Sequence, residues 1–249
     1  MFNLLALLTI GALPLALAGC ARLTSGGGAS PVYRVQRLTQ PLTIDAQWDK
    51  APWRRVEPLT LEYFMGEQPE HRPFTQAKLL YDDENVYVIF RVEDRFVRAV
   101  ATETHGPVWK DSCAEFFFTP GADVEEGYFN LEVNCGGTPL FHFQKEPRTN
   151  QIPLAPEEMR QIEIAHSMPR TVEPELAEPT IWTIEYRIPV AVLERYRSVV
   201  RPRPGAIWRA NFYKIADDTS HPHWLTWARI DKPTPDFHQP HFFGTLEFR

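Results

Sequence analysis

Val108-Trp109-Lys110-Asp111-Ser112-Cys113-Ala114-Glu115-Phe116-Phe117-Phe118 is the stretch from which the fold is read. At period two, Ala114, Phe116 and Phe118 share one face of a strand, and Asp111, Cys113 and Glu115 share the other. Trp109 stands just ahead of it. Tyr128-Phe129-Asn130-Leu131-Glu132-Val133-Asn134 alternates in the same way, with Phe129, Leu131 and Val133 inward and Asn130, Glu132 and Asn134 outward. Two neighbouring strands therefore share a polar face of acids and amides with an aromatic at its rim. Such a face suits a polyhydroxylated ligand, because carboxylates and amides pair with hydroxyls while a ring stacks on the C–H side of a sugar.

The chain has 249 residues, enough for one large domain with a full core. Hydrophobic residues at 43% and charged residues at 23% are ordinary for a globular protein, and 23 Pro favour turns over long helices, so an all-β fold is expected. A formal charge of -6 without a run of Lys or Arg argues against nucleic acid as a partner. Neutral or cationic ligands fit better.

Residues 1–19 hold no charged side chain, and Leu4 to Leu17 form an apolar run broken by Gly11 and Pro14, which predicts an export signal. Leu17-Ala18-Gly19-Cys20 resembles the bacterial lipoprotein cleavage box, which makes Cys20 the expected lipidation site. No Lys or Arg precedes the apolar run, and an ordinary cleaved signal with an incidental Cys20 is the alternative. Residues 20–31, with Ser25-Gly26-Gly27-Gly28-Ala29-Ser30, have the composition of a tether, and the folded domain is expected over 32–249. The expected location is the cell envelope, held to a membrane by lipid. Ala21 after the cysteine leaves sorting to an outer membrane open.

Thr75 to Tyr81 and Asn85 to Val92 predict a hairpin around Asp82-Asp83-Glu84-Asn85, with Val86, Val88, Phe90 and Val92 inward. That acidic turn offers hard oxygen ligands for Ca²⁺, yet Asp and Asn are also the usual residues of solvated turns, and no Ca²⁺-loop spacing is present. Pro139 to Phe143 reads as another strand. Lys145 to Pro179 is Pro-rich and loses its periodicity, with a short helix expected near Glu157 to Gln161 and a strand near Ile162 to His166. Alternation returns at Thr180 to Ile188, where Pro189 opens a helical turn, and at Ala206 to Ala216, with Trp208, Ala210 and Phe212 inward and Arg209, Asn211 and Tyr213 outward. Phe243 to Phe248 closes the fold, and no internal repeat is visible.

From Leu42 to Phe248 the chain resembles carbohydrate-binding module family 9, within the DOMON-like β-sandwiches. The resemblance is carried by Ile44 to Trp53, Trp109 to Phe118, Tyr128 to Asn134, Trp224-Leu225-Thr226-Trp227 and Phe243-Gly244-Thr245-Leu246. It implies an antiparallel β-sandwich with one or two short helices and a sugar, such as a terminal unit of a glycan, clamped between two tryptophans. The matching positions are Trp109 and Trp227, with Glu115 and Asn134 as polar partners. Sugar binders of the family carry a basic residue two positions before that amide, where this chain has Glu132. The family also uses structural Ca²⁺, for which the resemblance names no ligands here.

Several residues admit more than one role. Glu115 and Glu132, projecting from one face of adjacent strands, would have Cβ atoms about 4.5 to 8 Å apart, a spacing that suits a ligand floor, a salt-bridged network with Arg209, or a glycosidase carboxylate pair. Trp109 and Trp227 are rim or core, and Trp224, Trp208 and Trp182 are expected in the core. His221, His223, His238 and His241, with Asp236, form a cluster without the spacing of a strong metal motif. A haem role of the DOMON type would need an axial His or Met at the sandwich edge, for which Met65 and Met168 are candidates by residue type alone. Alternation sends Cys113 and Cys135 to opposite sides of the sheet, so a disulfide between them requires a bulge. The expectation is a monomeric, lipid-anchored carbohydrate-binding protein whose ligand meets Trp109, Glu115, Glu132, Asn134, Arg209, Asn211 and Trp227. A glycan hydrolase using the Glu pair and an envelope scaffold that docks another protein are the alternatives.

Overall fold

The computed structural model describes Met1 and residues 30–249. The expected export signal, Cys20 and nearly all of the tether lie outside the described residues. Folded structure begins with β1 (Val32–Arg37), followed by α1 (Ala51–Arg54), β2 (Leu59–Thr60), β3 (Tyr63–Phe64), β4 (Phe74–Tyr81), β5 (Asn85–Asp94), β6 (Val97–Ala99), β7 (Cys113–Thr119), β8 (Tyr128–Asn134) and β9 (Pro139–Gln144). The second half holds β10 (Ile152–Pro153), α2 (Pro156–Met159), β11 (Glu163–His166), β12 (Val172–Leu176), β13 (Thr180–Pro189), α3 (Val190–Leu193), β14 (Ile207–Ile215), β15 (Trp224–Thr226) and β16 (Gly244–Phe248). Among the described residues no helix is long and apolar enough to cross a membrane.

The main sheet runs β10-β9-β8-β7-β14-β16-β1-β4-β5-β13-β11 and curls into two layers. Its pairings are antiparallel except at β1, whose residues Val32 to Val35 run parallel to β16 and whose Gln36 and Arg37 run parallel to β4. The first strand thus passes from one layer to the other and joins them. Phe116, Phe118, Phe129 and Phe212 from one layer and Val88, Phe90, Trp182 and Ile184 from the other are fully buried in a common core. The layers meet where the Phe90 and Phe212 rings lie 6.0 Å apart. Each such side chain taken from water contributes about 1.5–3 kcal/mol, which makes the inward set of the alternating strands the main source of stability.

Local chemistry explains the connections. The Asp82 carboxylate accepts from the backbone N–H groups of Glu84 (2.9 Å) and Asn85 (2.7 Å) and from the Tyr87 hydroxyl (2.6 Å). This closes the β4–β5 hairpin as a self-bonded acidic turn. The buried Glu185 carboxylate on β13 accepts from the backbone N–H groups of Asp45 (2.9 Å) and Ala46 (2.8 Å), from the Trp53 indole (2.7 Å) and from Lys50 (2.6 Å). The Ile44 to Trp53 segment is thereby fastened across the second layer. The Pro-rich region, unresolved by periodicity, forms β10, α2, β11 and β12, with β12 returning to pair with β6.

Cys113 belongs to a smaller core on the outer face of the first layer and Cys135 to the core between the layers. Both are free, as the alternation requires. No group of three or more His, Cys, Asp or Glu among the described residues is arranged to hold a metal ion. The Asp82 carboxylate is spent on its own turn, and the buried Lys214 ammonium stands 3.4 Å from Asp94 and 2.7 Å from His223 Nε2, so these acidic positions do not fit the Ca²⁺ that the resemblance implied.

Candidate functional site

β7, β8 and β14 lie side by side with Glu115 directly opposite Glu132 on one neighbour and opposite Tyr213 on the other. Period two then places Cys113, Glu115 and Phe117, with Asn130 and Glu132 beside them and Tyr213 and Ile215 beyond, on the outer face of the first layer. The loops after β9 and β15 fold over this face. They leave a cavity of about 340 Å³ with Glu115, Glu132, Asn130 and Phe117 among its lining residues. That volume lies at the lower end of the roughly 300–1,000 Å³ of small-molecule pockets.

Trp109 and Trp224 also line the cavity, and both are half-buried. Asp217 ties them together: its carboxylate accepts the Trp224 indole N–H at 2.8 Å, and its backbone N–H donates to the Trp109 carbonyl at 3.2 Å. A chain of side-chain hydrogen bonds orders the polar wall. The Asn130 amide donates to Glu132 Oε1 (3.0 Å), and the Gln144 amide donates to Asn130 Oδ1 (2.8 Å). Tyr128 OH lies 2.7 Å from His238 Nδ1. At the mouth the Arg148 guanidinium donates twice to Asp236, at 3.0 and 2.8 Å.

Burial and the facing Glu132 push the Glu115 carboxyl well above the ordinary carboxylate range. Burial likewise raises Glu132, against the Asn130 hydrogen bond and Arg148, which lower it. Two carboxylates set opposite each other on adjacent strands cannot both ionise cheaply in a site this dry, so the pair retains a proton near neutral pH. Burial depresses His142 to about 4 and His238 to about 3, which leaves both rings uncharged at neutral pH.

Of the residues expected at the site, Trp109, Glu115 and Glu132 line this cavity and four do not. Trp227 is only 7% exposed and packs edge-on to Phe212 in the main core. It lies one residue past the end of β15, whereas Trp224, opposite Ile215, shares the face of the Glu pair. Trp224, expected in the core, is thus the second indole of the cavity. Asn134 is fully buried and spends its side chain on Ala101 O and Asp111 (both 2.9 Å) and on the Thr138 N–H (2.8 Å). Asn211 holds the Ala228 backbone, donating to its carbonyl (3.0 Å) and accepting its N–H (2.8 Å). Arg209 donates to the backbone carbonyls of Gly244 and Phe243 instead of pairing with the glutamates.

Asn130, His142, Arg148, Gln151, Asp217, Asp236 and His238 line the cavity as well. Asn130 was legible from its alternation with Glu132. Arg148 and Asp236 come from irregular loops with no periodic signal. The His cluster divides: His221 and His223 gather near His71 at one end of the sandwich, His238 joins the cavity, and exposed His241 stands 3.6 Å from Glu125.

A family model described as carbohydrate-binding family 9 matches residues 46–248. Among solved structures, a protein from Bacteroides uniformis ATCC 8492 assigned as carbohydrate-binding superposes with a TM-score of 0.80 at 26% identity, covering 89% of this chain and 100% of that one. A family 9 module from Caldicellulosiruptor kristjanssonii in complex with cellotriose has a TM-score of 0.59 at 16% identity, over 88% of this chain and 94% of that one. The same organism's module in complex with glucose gives 0.59 and 16%, over 87% and 95%. No curated protein matches the chain. The match over residues 46–248 spans nearly the whole folded part, and the chain belongs to carbohydrate-binding family 9.

Proposed function

We propose that this chain holds one sugar ring of a glycan between Trp109 and Trp224, above the floor made by Glu115, Glu132 and Asn130. The observation that carries the reading is the pair of half-buried indoles lining one small cavity whose remaining wall is acids and amides. Indoles offer flat apolar surface to the C–H face of a pyranose, and the floor offers acceptors to its hydroxyls. Replacing Trp224 by Ala is expected to weaken oligosaccharide binding by about 1.5–3 kcal/mol, roughly tenfold to a hundredfold in calorimetry. The melting temperature should move by only a few degrees. Undiminished affinity in both Trp109→Ala and Trp224→Ala would remove this reading.

The proton retained by the Glu pair also favours a second reading, a glycan hydrolase, since that chemistry uses one protonated and one ionised carboxyl group. Against it, Glu115 and Glu132 rise from adjacent strands into the same wall, so both meet a ligand from below instead of flanking a bond. Incubation with a glycan array separates the two: released sugar supports hydrolysis, and retention without turnover supports binding. Lipidation at Cys20 remains part of the proposal and would place the pocket at a membrane surface of the cell envelope. Radiolabelled palmitate incorporated in the native chain and absent from Cys20→Ser tests it.

A further inference from the structure

Four carboxylates line the cavity, Glu115, Glu132, Asp217 and Asp236, against one guanidinium, Arg148. Most of the other polar groups there are already engaged. Arg148 is committed to Asp236, Asp217 to the Trp224 indole, and the Asn130 amide and carbonyl to Glu132 and Gln144. Burial and the neighbouring Arg148 help keep His238 neutral, and burial and His105 do the same for His142, so neither ring supplies positive charge. Lys214 also acts on Glu115 but projects from the opposite face of β14, bonded to His223 and paired with Asp94, and exposed Lys110 beside Trp109 is paired with Asp218.

What is left open is acceptor capacity without a counter-charge. Glu115 is 1% exposed, lines the cavity, and accepts no hydrogen bond from any described residue. Glu132 takes one, from Asn130. A neutral sugar hydroxyl brings a single donor to such a floor and leaves its charge uncompensated, whereas an ammonium brings three donors and a full positive charge. Glu115 and Glu132 have no third carboxylate, histidine or cysteine among the described residues arranged with them to hold a metal ion.

We propose that the sugar recognised by this pocket carries a free amino group, with its ammonium seated over Glu115 and Glu132 while the ring lies between the two indoles. The proposal rests on the carbohydrate-binding reading and names the class of sugar. In the free protein each carboxyl is held against ionisation by burial and by its neighbour; the ligand ammonium removes that penalty. An acetylated nitrogen cannot do so, and neither can a hydroxyl.

Calorimetry on the EDTA-treated whole chain at neutral pH tests the idea with three disaccharides of the same β-1,4 geometry: that of glucosamine, that of N-acetylglucosamine, and cellobiose. The glucosamine disaccharide is expected to bind at least about tenfold more tightly than either of the others. Glu115→Gln, and separately Glu132→Gln, should erase that ratio, with a melting curve on each variant to show that it folds. Cellobiose or the acetylated sugar binding as tightly as the amino sugar, or a ratio unchanged in both folded variants, would overturn the proposal while leaving carbohydrate binding intact. Silence toward these three and toward a whole glycan array would overturn both.

Discussion

Trp224 and Trp227 sit three positions apart and face opposite ways across β15. Strand pairing puts Trp224 beside Ile215 on the outer face of the first layer, where the Asp217 carboxylate accepts a hydrogen bond from its indole N–H. Trp227 turns inward over Gly244, so closely that a Cβ on that glycine would meet its ring at 2.4 Å. Only a residue without a side chain admits the indole there. Trp227→Ala is therefore expected to cost about 3–5 kcal/mol, a core deletion, whereas Trp224→Ala should cost well under half of that. Urea unfolding of the two variants checks the contrast, and equal losses would contradict it. The same pair of residues explains what was legible. Glu115, Glu132 and Asn130 lie in the middle of long strands where alternation is a reliable guide to facing. Trp227 lies one residue past a strand of three residues, too short for a period of two to be read from the sequence although Trp227 keeps that period by pairing its N–H with Phe212, and the family pattern alone placed it at the ligand.

At the scale of elements, the segment Ile44 to Trp53 shows how a motif can be recognised without its physics being visible. Its backbone has no regular strand; Ala46 even adopts a left-handed φ of 61°. What holds it is Glu185, a carboxylate some 140 residues away on β13, which takes the Asp45 and Ala46 N–H groups, the Trp53 indole and Lys50, while Thr183 donates to the Ala46 carbonyl at 2.7 Å. No local pattern announces a partner at that distance, and Glu185 itself appears in the sequence only as a polar position in an alternating strand. Likewise β12 finds β6 across the sheet edge, a pairing hidden in Pro-rich sequence. Glu185→Gln leaves the indole an acceptor but turns an NH2 toward the Asp45 and Ala46 N–H groups and removes the more buried of the two carboxylates that Lys50 pairs with, the other being Asp45 at 2.6 Å. We expect a loss of about 3 kcal/mol, since breaking a buried pair by removing one partner costs of that order. Amide exchange should rise across residues 44–50 before it rises in β4 or β5; uniform exchange behaviour together with an unshifted urea midpoint would show the anchor to be dispensable.

The whole molecule buries titratable groups on both faces of β14, and their opposite shifts set its response to pH. On the outer face, burial and mutual repulsion hold Glu115 and Glu132 above the ordinary 4.5, so the folded state binds their protons more tightly than the unfolded chain does. That contribution is fully present at low pH and is lost as pH rises past neutrality. His238 on the outer face and His223 between the layers go the other way. Burial first, then Arg148 for His238 and Lys214 for His223, depress each from 6.5 to about 3, so their contribution is lost as pH falls. Between about pH 6.5 and 4.5 the two glutamates offset these two histidines, and the burial-lowered His142, at about 4, and His105 leave a smaller net loss of stability as pH falls. Below about 4.5 the unfolded chain protonates its glutamates as well, the offset disappears, and two histidine protons steepen the loss to about 2.7 kcal/mol per pH unit. Asp94 adds to that fall below its ordinary 3.8: burial opposes its ionisation, but the Lys214 ammonium and His71 outweigh burial and keep it charged. A Glu115→Gln/Glu132→Gln variant isolates the outer-face contribution. It should melt above the native protein at pH 8, where the buried charges cost most, and the gap should close by about pH 5, where the native pair is protonated. A gap that is constant from pH 8 to pH 5 would mean that the pair ionises as freely as a surface carboxylate, and that the floor of the cavity is wetter than its burial implies.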